Sequence, residues 1–305
     1  MMFYRVLLTC LLCLFSFNTY AQNLVIEGLL LEENSDYKIP YATLIDITTN
    51  KYGTTSQENG SFKLVLPNGS ENNKIFISSL GYKDTTIVVS DILKTQRIYL
   101  SQENYELPDV VITSTKSKEV EIGDSQSSVA MLDNKTRGYQ SSAGFSWGAY
   151  FKTKNKENGA HLKSFNIYIG NTGFPEAPLM LRLLEFTGEF EFSRSQPRSL
   201  FKDIHQKPII IEASKSGWFQ LDLSDLNIRI PENGIYCLLT PLDKGGKFSY
   251  ETPQGLKYGA SIGIYSDTKP GKNIYPVFQD KDRLSVVKRS HAPSPAVSII
   301  INPSN

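Results

Sequence analysis

The chain is poor in cysteine. Cys10 and Cys13 lie in its first 21 residues, and the third cysteine, Cys237, lies within the apolar run IYCLLTP. If the first 21 residues are removed on export, one thiol remains and no internal disulfide can form. Such a chain has to be stabilised by burial of apolar surface, for which its length is ample. We interpret Cys237 as a small core residue and not as a nucleophile.

The first 21 residues carry the pattern of a secretory signal peptide. Arg5 precedes an almost wholly apolar stretch, Val6–Phe17, and Thr19, Tyr20 and Ala21 form a small–x–small cleavage pattern before Gln22. The apolar stretch is too short to span a bilayer. Neither early cysteine follows a small residue as a lipid-anchored cysteine normally does. We therefore predict an exported protein of the periplasm, outer membrane or cell surface, without a clear lipid anchor.

Clusters of one charge are also missing. The chain has 32 Lys and Arg against 31 Asp and Glu, a formal net charge of +1, and these residues are interspersed. Nucleic acid and anionic membrane surfaces are therefore not expected as partners. No segment after the signal peptide approaches 18 consecutive apolar residues, so no transmembrane segment is predicted in the mature chain.

Helical periodicity is almost absent, and short alternating runs bounded by turn residues take its place. Seven such runs occupy residues 22–113, as in a small β-sandwich, and about nine occupy residues 125–305, as in a larger jelly-roll-like sandwich. The polar stretch 114–124 is predicted to be a linker between them. The predicted fold class is all-β, with two sandwiches in series. The arrangement of residues 187–206 is left open between a short helix and a crossing loop.

Several spaced motifs in the first domain carry a family resemblance. They are Pro40-Tyr41-Ala42-Thr43-Leu44, Gly53-Thr54-Thr55, Asn59-Gly60-Ser61-Phe62, Ser78 to Tyr82 with Gly81, and the closing ELPDVVIT at 106–113. This domain resembles the carboxypeptidase regulatory-like domain, a transthyretin-like β-sandwich of Bacteroidetes secreted and outer-membrane proteins. Within it, Gly53, Asn59, Gly60, Phe62, Gly81 and Tyr82 are expected to form turns and core contacts, and not an active site.

The resemblance does not imply peptidase activity. The metallopeptidase zinc site needs His-x-x-Glu and a distant His, and none of His161, His205 or His291 has Glu three residues on. A TonB-dependent transporter would need a plug and a barrel of 22 strands after the domain, and about 190 residues follow. The chain is more similar to free-standing Bacteroidetes proteins in which the domain precedes another sandwich.

The usual catalytic and cofactor motifs are absent. There is no Gly-x-Ser-x-Gly and no Walker or dinucleotide motif, and after the predicted signal peptide there is no metal-spaced His or Cys pair. Glu185, Glu189 and Glu191 form an acidic cluster, for which a solvated strand face or loop is the favoured interpretation. No cofactor, metal or catalytic residue is therefore predicted.

Aromatic residues supply the candidate ligand site. Alternation along GWFQLDL places Trp218 with Gln220 and Asp222, opposite an apolar face, and Trp147 and Tyr150 lie in another aromatic strand. The function we expect is a non-enzymatic binding or scaffolding protein of the cell envelope, with an envelope protein or a glycan as its partner. A protein-interaction module is favoured, a carbohydrate-binding module is the alternative, and a hydrolase is the least favoured. Burial of Trp218 under a loop would remove the case for carbohydrate.

Overall fold

The structure is a computed structural model. It describes residues 23–103, 118–127, 129–130, 139–154, 157–189, 191–192, 194–252, 255–266, 269, 271–288, 292 and 294–303. The predicted signal peptide, the predicted strand 109–113 and the start of the predicted linker lie outside these residues.

The first domain contains seven strands and one helix within residues 23–103. The strands are β1 (Asn23–Glu32), β2 (Thr43–Asp46), β3 (Gly53–Thr55), β4 (Ser61–Pro67), β5 (Lys74–Ser78), β6 (Thr85–Val88) and β7 (Arg97–Leu100), and the helix is α1 (Val89–Thr95). They form a sheet of order β4-β1-β7 and a second sheet of order β3-β2-β5-β6. The two sheets enclose one apolar core, so the first domain is a β-sandwich.

Strand β4 shows why the chain folds in this way. Phe62, Leu64 and Leu66 are at most 3% exposed and enter the core, whereas Lys63 and Val65 between them are exposed. This is the two-residue period of a strand with one buried face. The register of β4 against β1 follows from it, because a shift by one residue would place three large apolar side chains in water.

Helix α1 was not expected from the sequence. It has seven residues and no side-chain hydrogen bond at its N-cap, and it ends at Gln96 with φ of 52°, where glycine is the usual residue. Val89 and Ile92 anchor it to the core. A helix this short and weakly capped depends on tertiary packing, which periodicity cannot detect.

The second domain is built almost entirely from strands. These are β8 (Val120–Ile122), β9 (Val129–Ala130), β10 (Tyr139–Ser141), β11 (Trp147–Phe151), β12 (His161–Gly173), β13 (Leu179–Phe186), β14 (Ser195–Pro197), β15 (Phe201–Asp203), β16 (Ile209–Ile211), β17 (Gly217–Asp222), β18 (Ile235–Pro241), β19 (Ser249–Thr252), β20 (Gly255–Ile262), β21 (Ile264–Tyr265), β22 (Ile274–Asp280), β23 (Arg283–Val286) and β24 (Val297–Asn302). The structure therefore confirms the all-β prediction.

Two antiparallel sheets of this domain face each other. One has the order β10-β20-β12-β24-β8, with β17 and β19 added, and the other has the order β14-β23-β22-β11-β18-β13-β15, with β16 added. Side chains from both sheets form the main core between them. A second cluster, around Tyr150, Phe186 and Tyr236, covers the other face of the larger sheet.

Two segments differ from their sequence interpretation. Val120–Ile122, within the predicted linker, pairs with β24, and Ile122 is 5% exposed in the main core. The linker prediction is therefore wrong for these three residues. They extend the sheet because Ile122 is buried in the main core, although the stretch around it is charged. The open region 187–206 forms β14, a 3-10 turn at Arg198–Leu200 and β15, where Asp203 is buried.

The turn before β4 yields a testable prediction. Gly60 has φ of +74°, and a Cβ atom there would lie 2.8 Å from the Leu30 carbonyl oxygen, whereas Gly69 has φ of +85° and open space around it. Both Gly60→Ala and Gly69→Ala should therefore incur left-handed strain of about 1–2 kcal/mol. Only Gly60→Ala adds a steric clash, so it should lower the urea midpoint of unfolding further. Equal losses in the two variants would contradict the turn described here.

Candidate binding site between the two domains

One loop of the second domain, Asp243–Gly246, is anchored on the first domain. The Thr54 hydroxyl donates to Asp243 Oδ2 at 3.0 Å, and the Asp243 N–H donates to Thr55 Oγ1 at 2.8 Å. The Gln57 side-chain amide donates to the Asp243 carbonyl oxygen. Asp243 Oδ1 accepts from the Gly246 N–H at 2.6 Å, which holds the loop itself in shape. Asp243 therefore joins its own loop to three residues of the other domain.

Two glycines allow the backbones of the two domains to meet. A Cβ atom on Gly53 would lie 2.5 Å from the Ala143 carbonyl oxygen, and one on Gly144 would lie 2.6 Å from the Thr54 carbonyl oxygen. Contacts this short exclude any side chain at either position. At the predicted turn residue Gly53, the backbone that a side chain would crowd belongs to the second domain.

A cationic side chain extends the contact beyond this loop. Lys244 Nζ lies 2.9 Å from Glu58 Oε1 and 5.5 Å from the centre of the Tyr41 ring. The hydrogen bond from Lys244 lowers the pKa of Glu58. Burial and the neighbouring Glu58 raise the pKa of Tyr41 to about 12, so its hydroxyl stays protonated at neutral pH. Beside these groups, Leu80 of the first domain belongs to an apolar cluster with Met180 and Leu242 of the second.

A buried charged cluster supports the same interface. Asp203 accepts a bidentate pair of hydrogen bonds from Arg182, at 2.9 and 2.5 Å, and a further one from Arg198 at 3.2 Å. Arg182 also donates to Ser78 Oγ in the first domain at 2.9 Å. Burial alone would raise the pKa of Asp203, but the two guanidinium groups hold it below its usual range. The carboxylate thus keeps Arg182 oriented toward the first domain.

A cleft of about 1240 Å³ opens between the two domains beside these contacts. The first domain lines it with Tyr52, Lys51 and one edge of β4, and the second lines it with Phe145, Trp147, Leu256, Lys257 and Phe278. Near it, the Asn50 side chain bonds Asp280 Oδ1 at 2.7 Å and the Lys281 N–H at 3.0 Å. The cleft therefore has apolar and aromatic walls and cationic groups, and hydrogen bonds join the two domains beside it.

The carboxylates that line the cleft are already engaged by protein groups. Glu27 lies 3.0 Å from Lys63 Nζ, and both oxygens of Asp243 accept hydrogen bonds. Among the described residues no group of three or more His, Cys, Asp and Glu is arranged to hold a metal ion. Burial raises the pKa of the Cys237 thiol. These groups serve as structural contacts.

The predicted aromatic residues Trp147 and Tyr150 are not exposed on a strand. Trp147 is 5% exposed, with its ring in the main core beneath the cleft. Tyr150 is 3% exposed, stacks on Tyr236 at 4.5 Å, and donates its hydroxyl hydrogen to the Asn233 carbonyl oxygen. These two residues, predicted as possible ligand-binding residues, are buried because β11 lies inside the larger sheet and is covered on both faces.

Trp218, Gln220 and Asp222 lie together on β17. Trp218 is half-buried, with its ring edge-on to Tyr168 at 5.7 Å, while Gln220 and Asp222 are exposed. Gln220 donates to Ser164 Oγ at 3.1 Å, and Asp222 accepts from the Ser224 hydroxyl at 2.7 Å. That hydrogen bond lowers the pKa of Asp222. This strand does not contribute to the cleft.

The residues of the first domain that were predicted to form turns and core contacts are found in such positions. Asn59 Oδ1 accepts from the Ser61 N–H at 3.0 Å, and Gly81 has φ of +79°. The Phe62 ring fills the space above Gly28, where a Cβ atom would lie 2.7 Å from it. Burial and nearby Glu32 raise the pKa of Tyr82 to about 12.

Sequence reasoning missed the interface residues Asp243, Lys244 and Arg182. One signal was available in β2 and β5, TLID and KIFIS, which lack the alternation of a half-buried strand. A continuous run of this kind predicts a strand covered on both faces. The second face is covered by the other domain, as the contact between Ser78 and Arg182 shows.

Comparison with known proteins bears on the first domain. Residues 26–112 match the family model of the CarboxypepD_reg-like domain. The predicted resemblance is confirmed for this part of the chain. No curated protein is significantly similar to the chain. Among the described residues, no helix is long and apolar enough to cross a membrane.

One solved structure with detectable likeness contains the cysteine protease and lectin-like domains of Cwp84, a surface-layer-associated protein of Clostridium difficile. The match covers 52% of this chain and 32% of that one, with a TM-score of 0.32 and 9% sequence identity. The functional conclusions below therefore depend on the geometry of the chain itself.

The buried cluster yields a prediction about stability. Asp203→Asn removes the buried carboxylate that pairs with both Arg182 and Arg198, and should lower the free energy of unfolding at pH 7 by about 3–5 kcal/mol. Because the folded pKa of Asp203 is lowered, its contribution is present above the unfolded value of about 3.9 and is lost as pH falls through the folded pKa. The difference from wild type should therefore shrink in acid.

Urea denaturation at pH 7 and pH 3 measures this difference, and exposed Asp225→Asn serves as the control. A loss at pH 7 no larger than the control's would contradict the role given to Asp203.

Proposed function

We propose that this protein is an exported, non-enzymatic binding or scaffolding protein of the cell envelope, and that its partner is another protein. In this proposal it is a free-standing Bacteroidetes-type protein with a carboxypeptidase regulatory-like domain ahead of a second sandwich. The observation that carries the proposal is the cleft, whose two walls come from different domains. Neither domain alone would form it.

The size and lining of the cleft favour a polypeptide ligand. Pockets for small molecules usually enclose about 300–1,000 Å³, and this cleft of about 1240 Å³ exceeds that range. Its lining combines aromatic side chains with an exposed strand edge and lysines, and aromatic and cationic groups are common at protein interfaces. The carboxylates in the cleft are held by Lys63, Thr54 and Gly246, which favours binding over acid–base chemistry.

Two exposed leucines in the described part of the chain allow a matched test. Leu256 lines the cleft and is 44% exposed, while Leu93 lies on α1 and is 37% exposed. A photo-crosslinking amino acid at position 256, in cells that produce the protein, should capture a defined envelope protein. The same amino acid at position 93 should not capture it. Equal capture at both positions, or none at 256, would contradict the proposal.

A carbohydrate-binding function is the second candidate, and Trp218 favours it. Its ring is half-buried against the main core, and exposed Gln220 and Asp222 follow it on the same strand. Aromatic rings beside amide and carboxylate groups suit the stacking and hydrogen bonding of sugars. Glycan-array binding that Trp218→Ala abolishes without a change in melting temperature would establish this function. Absence of glycan binding by the wild type would remove it.

A further inference from the structure

Strand β4 is an edge strand whose open side lies in the cleft. Of the strands that the structure describes, it pairs with β1 alone, in the sheet of order β4-β1-β7. Ser61, Lys63 and Val65 of this strand line the cleft, opposite Leu256 and Phe278 of the second domain. An unpaired strand edge is a template for pairing with another extended chain.

The direction of the backbone groups on β4 follows from its register. The Leu30 N–H donates to the Gly60 carbonyl oxygen at 2.9 Å, and Gly28, Ile26 and Leu24 face Phe62, Leu64 and Leu66. Because hydrogen-bonded and non-bonded pairs alternate in an antiparallel ladder, these three pairs are the bonded ones. The N–H and C=O groups between them therefore point away from β1.

Those outward groups belong to Lys63 and Val65. Ser61 lies on the same side, and its carbonyl oxygen accepts from the Gln57 N–H at 2.7 Å, which agrees with this direction. Among the described residues, no hydrogen bond reaches the outward backbone groups of Lys63 or Val65. Two residues of β4 thus offer donors and acceptors to the cleft.

The charges around this edge indicate what it accepts. Lys63 is paired with Glu27 at 3.0 Å, but Lys51 and Lys257, which also line the cleft, form no ion pair with any other described residue. Lys51 is exposed and Lys257 is half-buried. The cleft lining carries three lysines against the two carboxylates of Glu27 and Asp243, a net positive charge that an acidic partner complements. Val65, at 40% exposed, adds an apolar neighbour on the sheet face.

We propose that the open edge of β4 binds an extended, acidic segment of the partner protein as an additional strand. The backbone of that segment pairs with Lys63 and Val65, and its carboxylates face Lys51 and Lys257. Main-chain pairing supplies affinity and the alternating side chains supply selectivity, as in other cases of strand addition.

This inference rests on the proposed binding function and specifies its ligand. Amide hydrogen exchange followed by NMR tests it on the full chain. The probe is an N-acetylated, C-amidated hexapeptide of alternating glutamate and valine. In the free protein, the amides of Phe62, Leu64 and Leu66 should be protected and those of Lys63 and Val65 should exchange fast. At saturating peptide, exchange at Lys63 and Val65 should slow by at least about tenfold.

Charge variants provide the matched control. Lys51→Glu with Lys257→Glu should abolish the protection at Lys63 and Val65. Lys83→Glu with Lys215→Glu, at two exposed positions outside the cleft, should leave it unchanged. A hexapeptide of alternating lysine and valine should give no protection.

Three results would overturn the proposal. They are absence of protection at Lys63 and Val65 with saturating acidic peptide, protection that survives the cleft charge reversal, and protection that rises with protein concentration without peptide. The last result would show that a second copy of the chain, and not an acidic partner segment, pairs with the open edge of β4. If crosslinking at position 256 still captured an envelope protein, the binding function would stand and only the strand-addition mode would fall.

Discussion

The contact between strand β3 and the loops at Ala143–Gly144 and Asp243–Gly246 holds the two domains against each other. Two glycines let the backbones approach, and Asp243 then ties its loop to Thr54, Thr55 and Gln57. Each hydrogen bond of this kind contributes about 0.5–1.5 kcal/mol to stability. Together these bonds favour one fixed arrangement of the two domains over a flexible linkage. Both sandwiches thereby become parts of one unit.

The contact explains features of the first domain that its own core does not require. The sheet β3-β2-β5-β6 has one face on its core, yet Thr43, Ile45, Phe76 and Ser78 on the other face are also buried. Arg182 reaches Ser78 from the second domain, with Asp203 as its counter-ion. Family motifs such as Gly53-Thr54-Thr55 and Ser78 to Tyr82 therefore serve the interface as well as the sandwich. Beside that interface the two domains enclose the cleft and the open edge of β4.

The sequence predicts local structure well where alternation is strong. The core positions Phe62, Leu64 and Leu66 and the turn at Gly60 follow from a two-residue period and a glycine at positive φ. Helix α1 and strand β8 are missed because each is short and is held by a few distant contacts. Single-residue cues do not reveal such contacts.

The candidate site is less predictable than the fold. Trp147 and Tyr150 have the composition of a binding surface, but burial within the larger sheet decides their role. Asp243 and Lys244 resemble ordinary turn residues, and they matter because residues almost 190 positions earlier in the chain lie against them. A pattern of residue types cannot specify a contact at that distance in sequence.

Differential scanning calorimetry of the wild-type chain tests the central claim most directly. If the two domains form one unit, heating should give a single transition whose calorimetric and van't Hoff enthalpies agree. Asp243→Ala should split or broaden that transition, because it removes the carboxylate that accepts the Thr54 hydroxyl. Two separate transitions in the wild type would contradict the account.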